Sequence, residues 1–100
     1  MLKIDEYRAL ILEKKFFEAH EVLEEFWFPR RKQKDDLSLI VKGFINAAVA
    51  FELKKRGRKE KALQVFQTYK KFAQKIESQK REDLLQLASF IDEYASNYLL

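Results

Sequence analysis

From Leu37 to Phe51 the chain reads LSLIVKGFINAAVAF, and its apolar residues fall on nearly every side of a helical wheel. A helix that is apolar all round has to be covered on most sides, so this third helical segment, about Asp36 to Arg56, is expected at the centre of the fold. Its one mid-helix polar stripe is Lys42 and Asn46, one turn apart, which either line a pocket or mark an edge facing solvent. Gly43 costs about 1 kcal/mol against Ala inside a helix. Such a cost fits a point where another helix crosses closely.

Four further segments carry the apolar faces needed to cover it. About Ile4 to Lys14, the residues Ile4, Tyr7 and Ile11 repeat on one side; about Phe16 to Phe28, the arc is Phe16, Ala19, Val22, Leu23, Phe26 and Trp27. Pro29 then ends the second segment, because it disfavours helix at the residue before it. About Lys59 to Glu77, the stripe is Ala62, Val65, Phe66, Tyr69, Phe72, Ala73 and Ile76, and about Arg81 to Leu99 it is Leu84, Leu87, Ala88, Ile91, Tyr94, Ala95 and Tyr98. Gly57, behind Lys54-Lys55-Arg56, reads as the cap of a helix whose last turn carries cations matched to its dipole. Two Gly and one Pro are too few to punctuate an all-β chain. The expected fold is therefore all-α, a compact antiparallel bundle of about five helices with the third central, forming one domain over residues 1–100.

The absence of cysteine excludes disulfide staples and thiolate metal sites. Lys3, Asp5 and Glu6 follow Met1 at once, and no long uncharged apolar run occurs, so neither a secretion signal nor a membrane span is visible and a cytoplasmic location is expected. The net charge of +4 comes from 20 Lys and Arg against 16 Asp and Glu, mostly a mixed surface. Basic residues cluster at Arg30 to Lys34 and at Lys54 to Lys61, with Lys70, Lys71 and Lys75 further on. Those runs would suit phosphate if folding joined them, but both follow helix ends where cations are favoured anyway, so nucleic acid is the lesser expectation.

Chemistry concentrates on the second segment. His20 and Glu24 stand at i and i+4, on adjacent turns of one helix face, a spacing at which imidazole and carboxylate can grip a divalent metal. Glu21 adjoins them, and Glu52, in an apolar sector of the third helix, is a carboxylate that needs a partner. His20 is the chain's one histidine, so any metal would need oxygen ligands as well. A histidine at a core border is more often simply hydrogen-bonded, as it would be to a carboxylate across helices. Phe17 and Trp27 invite a stacking role, yet aromatics at helical spacing usually pack in the core.

Phe16-Phe17-Glu18-Ala19-His20-Glu21-Val22-Leu23-Glu24-Glu25-Phe26-Trp27, followed by Lys42-Gly43-Phe44-Ile45-Asn46-Ala47-Ala48-Val49-Ala50 and Gly57, resembles the small all-helical family catalogued as domain of unknown function 309. The likeness covers about Tyr7 to Phe66 and implies a compact helical fold of prokaryotic and plastid-related proteins, without an established activity. It also implies that His20, Glu21 and Glu24 inherit the family's suspected site. Where this chain has Glu52 the family often has His, and where it has Arg58 often Asn. The change to Glu52 weakens a zinc reading more than a manganese or magnesium one.

Two functions follow. The favoured one is a non-catalytic binding or protein-interaction module, its exposed surface serving a protein partner or a second copy of the chain as a homo-oligomer. The alternative is a divalent-metal-binding or metal-dependent hydrolytic site on His20, Glu21, Glu24 and Glu52, with His20 and Glu24 as first ligands and Phe17, Trp27, Lys42 and Asn46 lining a pocket.

Overall fold

The central segment forms α3 (Asp36–Lys55), and ten of its 20 residues are buried, from Ser38 to Phe51. It packs most closely against α2 (Phe16–Trp27) and α4 (Lys59–Ala73), while α1 (Ile4–Leu12) lies on α2 and α5 (Glu82–Tyr98) closes the core over Phe16, Phe51 and Tyr69. The computed structural model describes residues 1–99 and spans 33 × 23 × 23 Å. No strand occurs among the described residues, and one core cluster takes side chains from all five helices.

Gly43 is the crossing point. A Cβ added there would stand 3.0 Å from the Cβ of Phe72 and 3.5 Å from the carbonyl oxygen of Tyr69, so the absence of a side chain at position 43 lets α4 lie close against α3 without displacing Phe72. Close approach brings Tyr69 onto Phe44 and Phe66 onto Phe51, with ring centroids 5.6 and 6.0 Å apart. Aromatic pairs at such separations add to the area they bury.

Two tight turns of one design join helices at the same end of the bundle. After α1, Lys14 adopts a left-handed conformation (φ 59°), its N–H donating to the Ile11 carbonyl and the Lys15 N–H to that of Leu10. After α3, Gly57 does the same at φ 81°, with Gly57 N–H on Lys54 and Arg58 N–H on Leu53. These are Schellman caps, which satisfy the helix-end carbonyls that would otherwise lack donors. Glycine suits the second; Lys14 takes that conformation at a cost of about 1 kcal/mol.

Element ends depart slightly from the sequence reading. The first helix stops at Leu12 rather than near Lys14, because the chain reverses through Lys14. The fourth stops at Ala73 rather than Glu77, and a 3₁₀ turn, Ile76–Gln79, follows. There the Ser78 hydroxyl donates to the Lys75 carbonyl (2.7 Å) and Ile76 turns into the core, 2% exposed. Phe26 and Trp27, expected in the core, are only half-buried at its edge.

Buried phenols tie the layers together. The Tyr7 hydroxyl donates to the Phe44 carbonyl in mid-α3 (2.7 Å), and the Tyr69 hydroxyl donates to Asp92 Oδ1 (3.0 Å) on α5. Burial pushes both phenols far above the ordinary tyrosine range, and the Asp92 charge adds to the effect at Tyr69. An unfolded tyrosine ionises near pH 10. Above that pH the unfolded state binds fewer protons than the folded one, so stability must fall as pH rises. Urea midpoints should therefore drop steeply between about pH 9.5 and 11, and the drop should be shallower in Tyr7→Phe/Tyr69→Phe; equal slopes would count against the account. At the crossing, Gly43→Val should cost about 1–3 kcal/mol in urea unfolding, since overpacking must push α4 away. An unchanged midpoint would refute the crossing.

Candidate functional site

Helix α2 presents two faces at its start. Phe16 is fully buried, meeting Phe51 and Tyr98 at centroid separations of 5.5 Å each. Phe17, one residue on and so about 100° further round the helix, is 50% exposed. Its ring stands edge to face with His20, 4.9 Å between centroids. Phe17 thus departs from the expectation of core packing: its side chain forms the lip of a cleft.

That cleft, about 250 Å³, opens between α2 and α3 and is lined by Phe16, Phe17 and His20 from α2, by Val49, Glu52 and Leu53 from the last turns of α3, and by Arg56 just past its end. Val49, Leu53 and the two phenylalanines make its walls apolar. The polar groups are already engaged. His20 Nδ1 bonds the Phe17 carbonyl, which can only accept, so that nitrogen carries a hydrogen. Nε2 lies 3.1 Å from Glu24 Oε1 and donates to it in the imidazolium form. Glu52 accepts from Arg56 Nε at 2.6 Å, one turn along α3.

The residues singled out from sequence are therefore divided. Phe17, His20 and Glu52 meet in the cleft, and Glu24 holds His20 from outside it. Glu21 is exposed and does not line it. Trp27, Lys42 and Asn46 do not line it: the Lys42 ammonium lies 4.4 Å from the Trp27 ring centroid, a cation–π contact between α2 and α3. Among the described residues no three His, Cys, Asp or Glu side chains are grouped as metal ligands. Sequence reasoning passed over Arg56, although its i, i+4 spacing from Glu52 is the signal that names the partner Glu52 needs. It also passed over a groove of about 540 Å³ between α4 and α5, floored by Phe66 and Tyr69 and edged by Lys70 and Asp92.

The basic runs are not joined to each other. Arg30 to Lys34 follows α2, and Lys54 to Lys61 straddles the other end of α3, whose 20 residues span about 30 Å. The second run meets Lys14 and Lys15 instead: Lys55 Nζ donates to the Lys14 carbonyl (3.0 Å), and the ammonium groups of Lys14 and Lys54 lie 5.6 and 5.5 Å from the Tyr98 ring centroid. Partial burial and the Glu52 carboxylate hold the Tyr98 phenol above its ordinary range, consistent with Glu52 facing this same end.

These features define a small all-α domain with a polar-rimmed apolar cleft at the α2–α3 seam, beside a lysine-rich end. No helix of the described residues is long and apolar enough to cross a membrane. The chain belongs to the family described as Domain of unknown function (DUF309), whose model matches residues 4–65. The match encloses α1, α2, α3 and the first part of α4, hence the whole cleft, and leaves out nearly all of the α4–α5 groove. No curated protein and no solved structure matches the chain.

If Phe17 is held outside the core, its removal should cost little. Phe17→Ala should change the unfolding free energy by less than about 1 kcal/mol, against about 3–5 kcal/mol for Phe16→Ala, by urea titration. Equal losses would place Phe17 in the core.

Proposed function

We propose that the chain is a non-catalytic binding module whose contact surface is the cleft at the start of α2. The observation that carries this reading is the half-exposed Phe17 ring, standing at the mouth of an apolar cleft with a charged rim. The half of Phe17 left in water forgoes about half of the roughly 1.5–3 kcal/mol that full burial of such a side chain contributes, on the order of 1 kcal/mol. Such an exposure is explained by a partner that covers it. Aromatic and Arg side chains are also the residues enriched where partners bind, and Phe17 and Arg56 are both here.

The groups that could do chemistry also serve structural contacts, His20 Nδ1 with the Phe17 carbonyl and Nε2 beside Glu24, Glu52 with Arg56. A divalent cation would be held by His20 and Glu24 once a further carboxylate joined them, and Glu52 would first have to leave Arg56. Glu21 would have to cross the helix surface.

Amide chemical shifts during titration with indole test the reading. Shifts should concentrate at Phe17, His20, Val49, Glu52 and Leu53 and vanish in Phe17→Ala; uniform or absent shifts would remove the cleft as a contact surface. In parallel, Mn²⁺ or Zn²⁺ added to chelator-treated protein should give the same small change in Tm for wild type and His20→Ala. A rise confined to wild type would favour the metal reading instead.

A further inference from the structure

Resting on the cleft as the contact surface, we infer that the partner is a single-stranded nucleic acid, with phosphates on the lysine-rich end of the bundle and one base on Phe17. The charge distribution points there. Glu13–Glu18 and Glu52–Lys61, the segments around the two tight turns, hold eight Lys and Arg against four Glu. That difference equals the +4 of the entire chain; elsewhere there are twelve of each sign. The turns bring these segments together, as the Lys55 to Lys14 hydrogen bond and the shared Tyr98 ring show.

Helix dipoles do not account for this cluster. Lys54 and Lys55 sit at the C-terminus of α3, where a cation is favoured. Lys15, Arg58, Lys59 and Lys61 stand at or just inside the N-termini of α2 and α4, where the dipole disfavours cations. Among the described residues only Lys15 has a carboxylate partner of its own there, Glu13 at 3.2 Å. Four cations kept where the helices would prefer carboxylates are explained by an anionic ligand. The opposite run, Arg30 to Lys34, contrasts with this: Arg30 and Arg31 lie over the Phe26 and Phe28 rings, and Asp35 and Asp36 follow at once.

The surroundings select the kind of polyanion. Glu18, Glu21 and Glu25 line the exposed face of α2 and repel phosphate, so the backbone path runs from the cleft mouth over Arg56 toward Arg58 and Lys59. At the mouth, Phe17 offers a ring with half its surface free, and the 250 Å³ cleft has room for one planar base. Basic tracks interleaved with aromatic platforms hold single strands, whose bases are free to stack. A duplex would have to unpair first. An anionic membrane would use the same lysines, but among the described residues the large apolar side chains exposed beside them are only Leu12 and Phe17, little to insert.

Fluorescence anisotropy tests the inference, with a labelled oligouridine of about 12 nucleotides titrated across a salt series. Binding should weaken with salt at a log–log slope of about −3, as for roughly four phosphate contacts. Lys15→Gln/Arg58→Gln/Lys59→Gln should lower affinity at least tenfold and make the slope shallower by about 2, while melting no lower than wild type, because the dipoles no longer oppose those charges. Phe17→Ala should lose about tenfold with the slope unchanged. Arg31→Gln/Lys32→Gln/Lys34→Gln should bind as wild type does. Equal weakening by both triple variants, equally tight binding of duplex, or binding of phosphatidylserine vesicles without binding of RNA would each overturn the inference. If RNA fails to bind while indole still shifts the cleft amides, the partner class is wrong and the cleft stands; if both fail, the cleft falls too.

Discussion

The missing side chain at Gly43 sets how closely α4 approaches α3, and the positions of the other helices follow from it. A Cβ at that point would stand only 3.0 Å from the Phe72 Cβ, so any larger residue would press α4 outward by at least a few tenths of an ångström. The approach puts Tyr69 and Phe66 against Phe44 and Phe51, which fills one side of α3 and leaves its other side to α2. Phe51 then carries Phe16 and Tyr94, so the start of α2 and the end of α5 are positioned by the same central helix. The cleft is a by-product of this arrangement: Phe16 is drawn inward, and Phe17, on the adjoining face, is left outside.

The two Schellman turns convert helix packing into a chemical surface. Each ends a helix within a residue or two and starts the next, so Lys14-Lys15 and Gly57-Arg58 project at one end of the bundle. Lys54 and Lys55 arrive there from the last turn of α3, and the Tyr98 ring attracts the Lys14 and Lys54 ammonium groups. A concentration of cations destabilises a fold by self-repulsion, and here some of it also opposes helix dipoles.

Much of the fold was legible because it rests on periodicity. Apolar residues all round Leu37 to Phe51 named the central helix, Gly43 named the crossing, and Gly57 named a cap. Lys14 did not announce its left-handed turn, since lysine has no preference for that conformation and adopts it only because α1 and α2 must both reach α3. The early end of α4 was hidden for a related reason: the helical stripe continues through Ile76, yet that side chain enters the core from a 3₁₀ turn. Of the site, the wheel placed His20 and Glu24 together and left Glu52 seeking a partner. It could not show that Arg56, rather than His20, would supply it, because i, i+4 pairing along α3 competes with pairing across helices. Nor could it show Lys14 and Lys15 joining a basic run some 40 residues later, a contact made only by the fold.

Amide hydrogen exchange tests most directly whether α3 organises the molecule. Its amides from Phe44 to Phe51 should exchange only through global unfolding, with opening free energies equal to the stability from urea titration, while α1 and the end of α5 open at lower cost. Exchange of α3 at a lower free energy than α2 or α4 would contradict the account.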